Sequence, residues 1–281
     1  MKKLSKLTAL VLALAMAFAL ASCGGNSAST TGSASKSEQP AVSASGSGDK
    51  SAADASDAES DLQYVKDKGT LVVGITDFEP MDYKDAFAES LGVQVEFVEI
   101  NWDNKILELG NKSIDCIWNG MTLTDEVTSS MECTNAYMNN TQVVVVPKEN
   151  VDLDSMELLS ELTFAVESGS AGEEQAQKFE FSNTPVESQA RALMEVAAGT
   201  SDAAIIDSLM AGAMVGEGTG YPDLVYTVSL NKDEGEQYGV GFRKGSDLAA
   251  ALNDFFSASY KDGSMTEIAD TYGVQAALIE Q

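Results

Sequence analysis

From Asp61 onward, short apolar runs rich in β-branched residues alternate with segments of helical periodicity. Thr70–Ile75 (TLVVGI) and the alternating Val93–Ile100 (VQVEFVEI) predict two strands, and Ile114–Trp118 predicts a third. Between the first two lies a loop, Asp77-Phe78-Glu79-Pro80, enforced by its proline, then a brief helix over Asp85–Leu91 closed by Gly92. Lys105–Gly110 predicts another short helix, so the segment follows βαβαβ logic. The stretch Ser113–Tyr137 is the most informative. It passes from the third strand through Asn119 and Gly120 into Thr122-Leu123-Thr124-Asp125, a helix-capping composition, and reads as strand, turn, helix. In an open α/β sheet such junctions leave unpaired N–H groups pointing into a crevice where ligands sit.

The second half repeats the scheme. Gln142–Pro147, Phe164–Glu167, Ala203–Ile206, Leu224–Val228 and Tyr238–Arg243 predict strands, and Gln189–Ala198 a helix. Leu248, Leu252, Phe255 and Phe256, at i, i+4, i+7 and i+8, mark an amphipathic helix near the end. Phe164–Glu167 runs into the turn Ser168-Gly169-Ser170-Ala171-Gly172 and then a helix opening with Glu173 and Glu174, acids suited to a helix amino end. Two similar α/β halves joined through Gln142–Pro147 and Tyr238–Arg243 predict two lobes, a two-stranded hinge and a cleft between them. Lobe one is expected to comprise residues 61–143 plus 241–281, and lobe two residues 144–240.

The amino terminus changes the picture of where the protein works. Lys2, Lys3 and Lys6 precede an apolar run from Ala9 to Ala21, too short to span a bilayer but suited to a signal-peptide core. Leu20-Ala21-Ser22-Cys23 resembles the lipobox of bacterial lipoproteins, which makes residues 1–22 a signal peptide and Cys23 the acylated first residue of the mature chain. Residues 23–60 are dominated by Ser, Ala and Gly without apolar periodicity. Such a segment cannot bury enough surface to offset its ordering entropy and serves as a flexible tether reaching about 30–40 Å. Charge excludes other roles. Forty-four acids against seventeen bases give a net charge of −27, and Arg191 and Arg243 are the only arginines, which argues against nucleic acid as a partner. The chain has no histidine, which removes His-based triads, imidazole metal sites and the usual general base at neutral pH.

Eight segments in order carry a family resemblance: GTLVVGI, LGVQVEFVEINWDNKILEL, IDCIWNGMTLTDE, QVVVVPK, FAVESGSAGEE, LMEVAAGTSDAAIID, YGVGFRKGSDL and KDGSMTEIADTYG. They resemble the extracellular solute-binding proteins, family 3, which have the α/β, two-lobed periplasmic-binding-protein fold of type II and deliver amino acids and related polar solutes to ABC importers. The resemblance implies a monomeric, membrane-anchored binding subunit with a permease as partner, no cofactor, no metal and no catalysis. It assigns Trp102 as the aromatic beside the ligand, Asn119, Gly120 and Thr122 as the polar turn of lobe one, Ser170, Ala171 and Gly172 as the helix start of lobe two, and Asp207 as the acid for the ligand's amine. Asp77, Phe78 and Glu79 lie on the lobe-one loop that faces the ligand. Each assignment suits its residue: an aromatic face for apolar groups or cations, backbone N–H groups for a carboxylate, and a strand-end carboxylate for an ammonium.

The sequence departs from the family in two places. An arginine usually clamps the ligand's carboxylate a few residues into the helix after the TLTD-like turn, and Val127 stands there. A carboxylate must then rely on N–H groups, Thr122, or Arg191 reaching in from lobe two, and the acid-rich site favours a ligand recognised through a cationic amine. The second departure is a lobe one shortened after Lys84, where the family has a β-turn and a strand leading into the first helix, which predicts exposed apolar surface. Cys116 and Cys133 are left once Cys23 is acylated. They either bridge, closing a loop of about 17 residues, or pack as two small buried thiols. An enzyme on the same fold, such as a cyclohexadienyl-dehydratase-like dehydratase or lyase, would have to use Glu79, Glu167 or Asp207, and a ligand sensor is a third reading.

Overall fold

The computed structural model describes residues 60–77 and 84–281, all within one compact unit. Residues 1–59, where the signal peptide, the acylated Cys23 and most of the tether are expected, lie outside the described residues, as do Phe78 and Glu79. Among the described residues no helix is long and apolar enough to cross a membrane.

In chain order the elements are α1 (Asp61–Lys68), β1 (Thr70–Ile75), α2 (Lys84–Leu91), β2 (Gln94–Glu99), α3 (Lys105–Gly110), β3 (Cys116–Thr122), α4 (Asp125–Ser130), β4 (Glu132–Cys133), β5 (Met138–Asn140) and β6 (Gln142–Pro147). They continue with α5 (Met156–Leu159), β7 (Thr163–Glu167), α6 (Ala171–Lys178), β8 (Ser182–Val186), α7 (Gln189–Ala198), β9 (Ala203–Asp207), α8 (Ser208–Met214), β10 (Leu224–Ser229), β11 (Glu236–Phe242), α9 (Leu248–Asp262) and α10 (Ser264–Thr271).

The strands form two sheets. The first has the order β2-β1-β3-β11-β4, with β5 also paired to β11, and the second the order β10-β6-β9-β7-β8. In each, the βαβ units give parallel pairs, β1 with β2 and β3, and β7 with β8 and β9. Strands arriving from the other half run antiparallel, β11 against β3 and β6 against β9. The chain crosses between the sheets twice, at Thr141 and over residues 230–235. The apolar run Gln142–Pro147 is thus an inner strand of the second sheet, and Glu236–Phe242 belongs wholly to the first, so the second crossing comes earlier than the hydrophobic pattern indicated.

Each sheet is packed on both faces, as expected of strands that read as continuous apolar runs. On one face of the first sheet Trp118, Tyr137 and Tyr238 pack with Phe87 of α2 and Phe256 of α9, and on the other Ile100, Trp102, Ile114, Ile117 and Met121 cluster. The second sheet has Val143, Val145, Leu193 and Ile206 on one face and Val144, Val146, Phe164 and Ile205 on the other. Each such fully buried side chain contributes about 1.5–3 kcal/mol of transfer free energy. The exception is β2 at the sheet edge, where Phe97 is 41% exposed and no residue is fully buried.

A group of paired charges ties the amino-terminal helix to this frame. Asp115, fully buried, accepts from Lys68 Nζ at 2.6 Å and from the Val72 N–H at 2.8 Å, with Arg243 Nη2 at 3.4 Å. Arg243 also pairs with Asp61 through Nε at 3.0 Å and donates to the Ile114 carbonyl at 2.8 Å. Both sequence arginines are thereby placed: Arg243 is structural, and Arg191 lies elsewhere, on α7.

Candidate functional site

The turn expected at Asn119 and Gly120 lies inside β3, which continues to Thr122. Gly120 adopts a left-handed φ of 68°, and the pairing of β3 with β11 slips between Gly239 and Gly241. The result is a bulge, not a turn, because β11 keeps pairing with β3 as far as Thr122. The helix begins only at Asp125, with the Thr124 hydroxyl accepting from the Val127 N–H. Asn119 is buried and donates to the Thr76 hydroxyl at 3.0 Å, so it fastens the end of β1 to β3.

Strand ends and helix starts from both sheets converge on one region. The first sheet supplies Thr76 and Asp77 after β1, Trp102 and Lys105 around the start of α3, and Thr122 at the end of β3. From the second come Glu167 after β7, the Ser170–Gly172 start of α6, Gln189 at the start of α7, and Asp207 at the end of β9. The two groups touch. Lys105 Nζ donates across the boundary to the Gly169 carbonyl at 2.9 Å, and Thr76 bonds to the Glu167 carboxyl. Gly169, at φ 71°, lies so close to the turn preceding α3 that a β-carbon there would come within 2.9 Å of Asp103 Cα.

Two cavities flank this contact. One of about 460 Å³ is lined by Thr76, Asp77, Glu99, Ser188, Arg191 and Met194. The other, of about 610 Å³, is lined by Thr122, Asp125, Ala171, Glu174 and Glu236 among others, and a crevice of about 20 Å³ beside Trp102, Lys105, Val127 and Gly169 adjoins it. Arg191 and exposed Asp77 therefore line the same cavity. Trp102 does not offer a bare ring: it is only 6% exposed, packed with Ile100 and Ile114, and Lys105 Nζ sits 5.5 Å from its centroid. Ser170 caps α6 through Glu173, Ala171 lines both the larger cavity and the crevice, and Gly172 is buried against the Ile205 carbonyl, where a β-carbon would lie 2.9 Å away.

Asp207 sits beneath the cleft, 3% exposed, held by side-chain amides. Gln142 donates to it at 2.7 Å, Asn140 and Gln189 donate as well, and its own N–H donates to Gln189 Oε1 at 2.8 Å. Glu236 continues the network by accepting from Gln142 at 2.9 Å, Asn140 at 3.1 Å, Thr122 at 3.2 Å and, through its other oxygen, Asn231 at 2.6 Å. Among the described residues no cation joins this set of hydrogen bonds. Burial, then the charge of Glu236, push the Asp207 carboxyl up to about 7, against the lowering pull of the Gln189 and Gln142 hydrogen bonds. Glu167, 3% exposed, is pushed up to about 8 by burial and then by Asp207, with Thr76, Gln189 and Lys105 opposing. Burial lowers Lys105, while Glu126, Asp103, Glu167 and Glu174 pull it back up.

Hydrophobic patterning did not single out Lys105, Gln142, Gln189 or Glu236. The one available signal was polarity in the wrong place: Gln142 heads a run of four valines, and Lys105 opens a helix that turns Leu109 into the core. Cys116 and Cys133 are both free thiols. They pair with Phe242 and Gly241 from opposite sides of β11, two strand spacings apart, or about 10 Å, beyond the reach of a disulfide.

Two α/β sheets whose strand ends and helix starts meet over a polar, acid-rich crevice define a two-lobed binding protein of the periplasmic type. The chain belongs to the bacterial extracellular solute-binding proteins, family 3, whose sequence model matches residues 57–275. It is similar to an L-arginine-binding protein of Pseudomonas aeruginosa, 33% identical over 202 residues that cover 68% of this chain and 77% of the relative. Among solved structures, ArgBP from T. maritima, as its P235GK mutant, superposes with a TM-score of 0.68 at 29% identity, covering 75% of this chain and 98% of that one. An ABC uptake transporter substrate-binding protein from Streptococcus pneumoniae with bound histidine gives 0.68 at 26%, covering 77% and 98%.

Proposed function

We propose that the protein is a lipid-anchored solute-binding subunit: Cys23 carries the lipid, residues 23–60 act as the tether, and the folded body closes over an amino acid or related amine-bearing solute for delivery to an ABC permease. The lobes correspond to residues 61–143 plus 241–281 and 144–240, shifted by a few residues to the sheet crossings at Thr141 and 230–235. The protein works as a monomer and catalyses nothing. Closure is a population shift, because a solute touching both halves binds the closed state more tightly than the open one.

One observation carries this reading: buried carboxyls, Glu167 and Asp207, lie where the two halves meet, and Asp207 is held by amides with no cation of the described residues among its bonds. An ammonium or guanidinium is the complement such a site lacks. The names of the arginine- and histidine-binding relatives favour the same chemistry, as does Val127 in place of a clamping arginine. The carboxylate's partners are either the backbone N–H groups at Ser170–Gly172 or, in the other cavity, the Arg191 guanidinium. Calorimetry with L-arginine, L-histidine, putrescine, a dipeptide and succinate tests the proposal. Saturable binding of the amine-bearing solutes is expected, and tight binding of succinate alone would contradict it.

A further inference from the structure

The acid expected to receive the ligand's amine, Asp207, is already supplied with donors. Asn140 and Gln142 donate to one oxygen and Gln189 to the other, and the Gln189 amide also bonds the Asp207 N–H. Its neighbour Glu167 is different. Glu167 Oε1 is buried and has no hydrogen-bond partner, while its other bonds come from Thr76 of the first sheet and Gln189. Beside the same network, Gln142 Oε1 is also a buried acceptor without a partner. A carboxyl oxygen left dry and unfilled keeps its full desolvation penalty. Two unfilled acceptors flanking a saturated carboxylate call for a donor with several hydrogens, not for an acceptor or an apolar group.

We propose that Glu167 is the specificity-determining residue of the cleft, taking the cationic nitrogen of the solute at Oε1, with Asp207 as the fixed, amide-held acid behind it. This deepens the solute-binding reading and rests on it. Glu167 stands at the end of β7, one residue before the turn that brings Gly169 against α3, and it bonds Thr76 across the boundary. A cation placed there touches both halves and so favours closure.

Proton linkage follows. Glu167 faces Asp207 from β9, Lys105 from α3, Gln189 from α7 and Thr76 after β1, with Glu236 acting on it through Asp207. Lys105 is turned to the Gly169 carbonyl, so among these groups none is a cation hydrogen-bonded to Glu167. At pH 7 burial and the Asp207 charge keep Glu167 largely protonated, and an arriving cation lowers its pKa and expels the proton into solvent.

Calorimetric titration of the full chain with L-arginine, L-histidine and putrescine, at pH 7 in two buffers of different ionisation enthalpy, reads both affinity and proton release. For the tightest of the three, the wild type is expected to release close to one proton per ligand. Glu167→Gln is expected to weaken binding at least tenfold and to abolish the release, and Glu167→Asp to retain part of both. Binding with no proton release, or a Glu167→Gln variant that binds as the wild type does, overturns the assignment while leaving solute binding intact. If none of the three binds wild type, the broader reading falls with it. Undiminished resistance of the ligand-free Gln variant to urea separates lost recognition from lost fold.

Discussion

Three buried carboxylates in this protein fall into two opposite surroundings. Asp115, fully buried in the first sheet, is met by Lys68 and Arg243 and by a backbone N–H. Glu167 and Asp207, nearly as buried between the sheets, are met by amides and hydroxyls, and their protons are held to about pH 8 and 7. A charge neutralised from within the fold belongs to the architecture; carboxyls left protonated at the meeting of two halves await a partner from outside.

The largest expected effect comes from breaking the first group. Asp115→Asn leaves Lys68 and Arg243 without their shared carboxylate and should cost about 3 kcal/mol or more of stability, read by urea unfolding, since removing one partner of a buried pair strands the others. Gly172→Ala should come next, at about 1–3 kcal/mol, because its β-carbon would press on the Ile205 carbonyl, a backbone atom that cannot swing aside. The same urea midpoints check it.

The pH dependence sharpens the contrast. Glu167 and Asp207 have folded pKa values raised above their unfolded ones, so the folded state holds more protons between about pH 4 and 8. Their contribution is present below the unfolded pKa and is lost as pH rises through the folded pKa. The ligand-free protein should therefore lose stability from pH 5 to pH 7, by up to about 1.4 kcal/mol per pH unit for each carboxyl, and Glu167→Gln should flatten that slope. The smallest effect concerns the cysteines. Both Cys116 and Cys133 should titrate as thiols in unfolded, unreduced protein, while in the folded state Cys116, whose thiol burial pushes far above its ordinary range, should stay unreactive.

The sheets were legible in the sequence because their strands announce themselves twice, by apolar runs and by the Gly, Pro and Asn residues that end them. Gly92 closes α2, the turn through Gly169 precedes α6, and Thr124 caps α4, where the pattern predicts. The bulge at Gly120 was not legible, since a strand that continues past Asn119 and a strand that turns there share the same local composition, and only pairing with β11, more than a hundred residues later, decides. The site was half visible. Asp77 and Ala171 line the two cavities, whereas Ser170 and Gly172 are buried at the start of α6. Trp102 is turned into the core and Asp207 is sealed by amides, because Lys105, Gln142, Gln189 and Asn140 reach them from four separate elements. That convergence is a product of tertiary packing, and no window of sequence contains it.

The central contrast between an architectural acid and a recognition acid is tested most directly by urea unfolding of Asp115→Asn and Glu167→Gln with and without the solute that calorimetry identifies, at a hundredfold excess over its wild-type Kd. A bound ligand at that excess adds about 2.7 kcal/mol to a protein that recognises it. Asp115→Asn should start from a lower stability yet gain the full increment, whereas Glu167→Gln should start no less stable than wild type at pH 7 and gain at most half of it. The reverse pattern, an increment lost with Asp115 and kept without Glu167, would contradict the account.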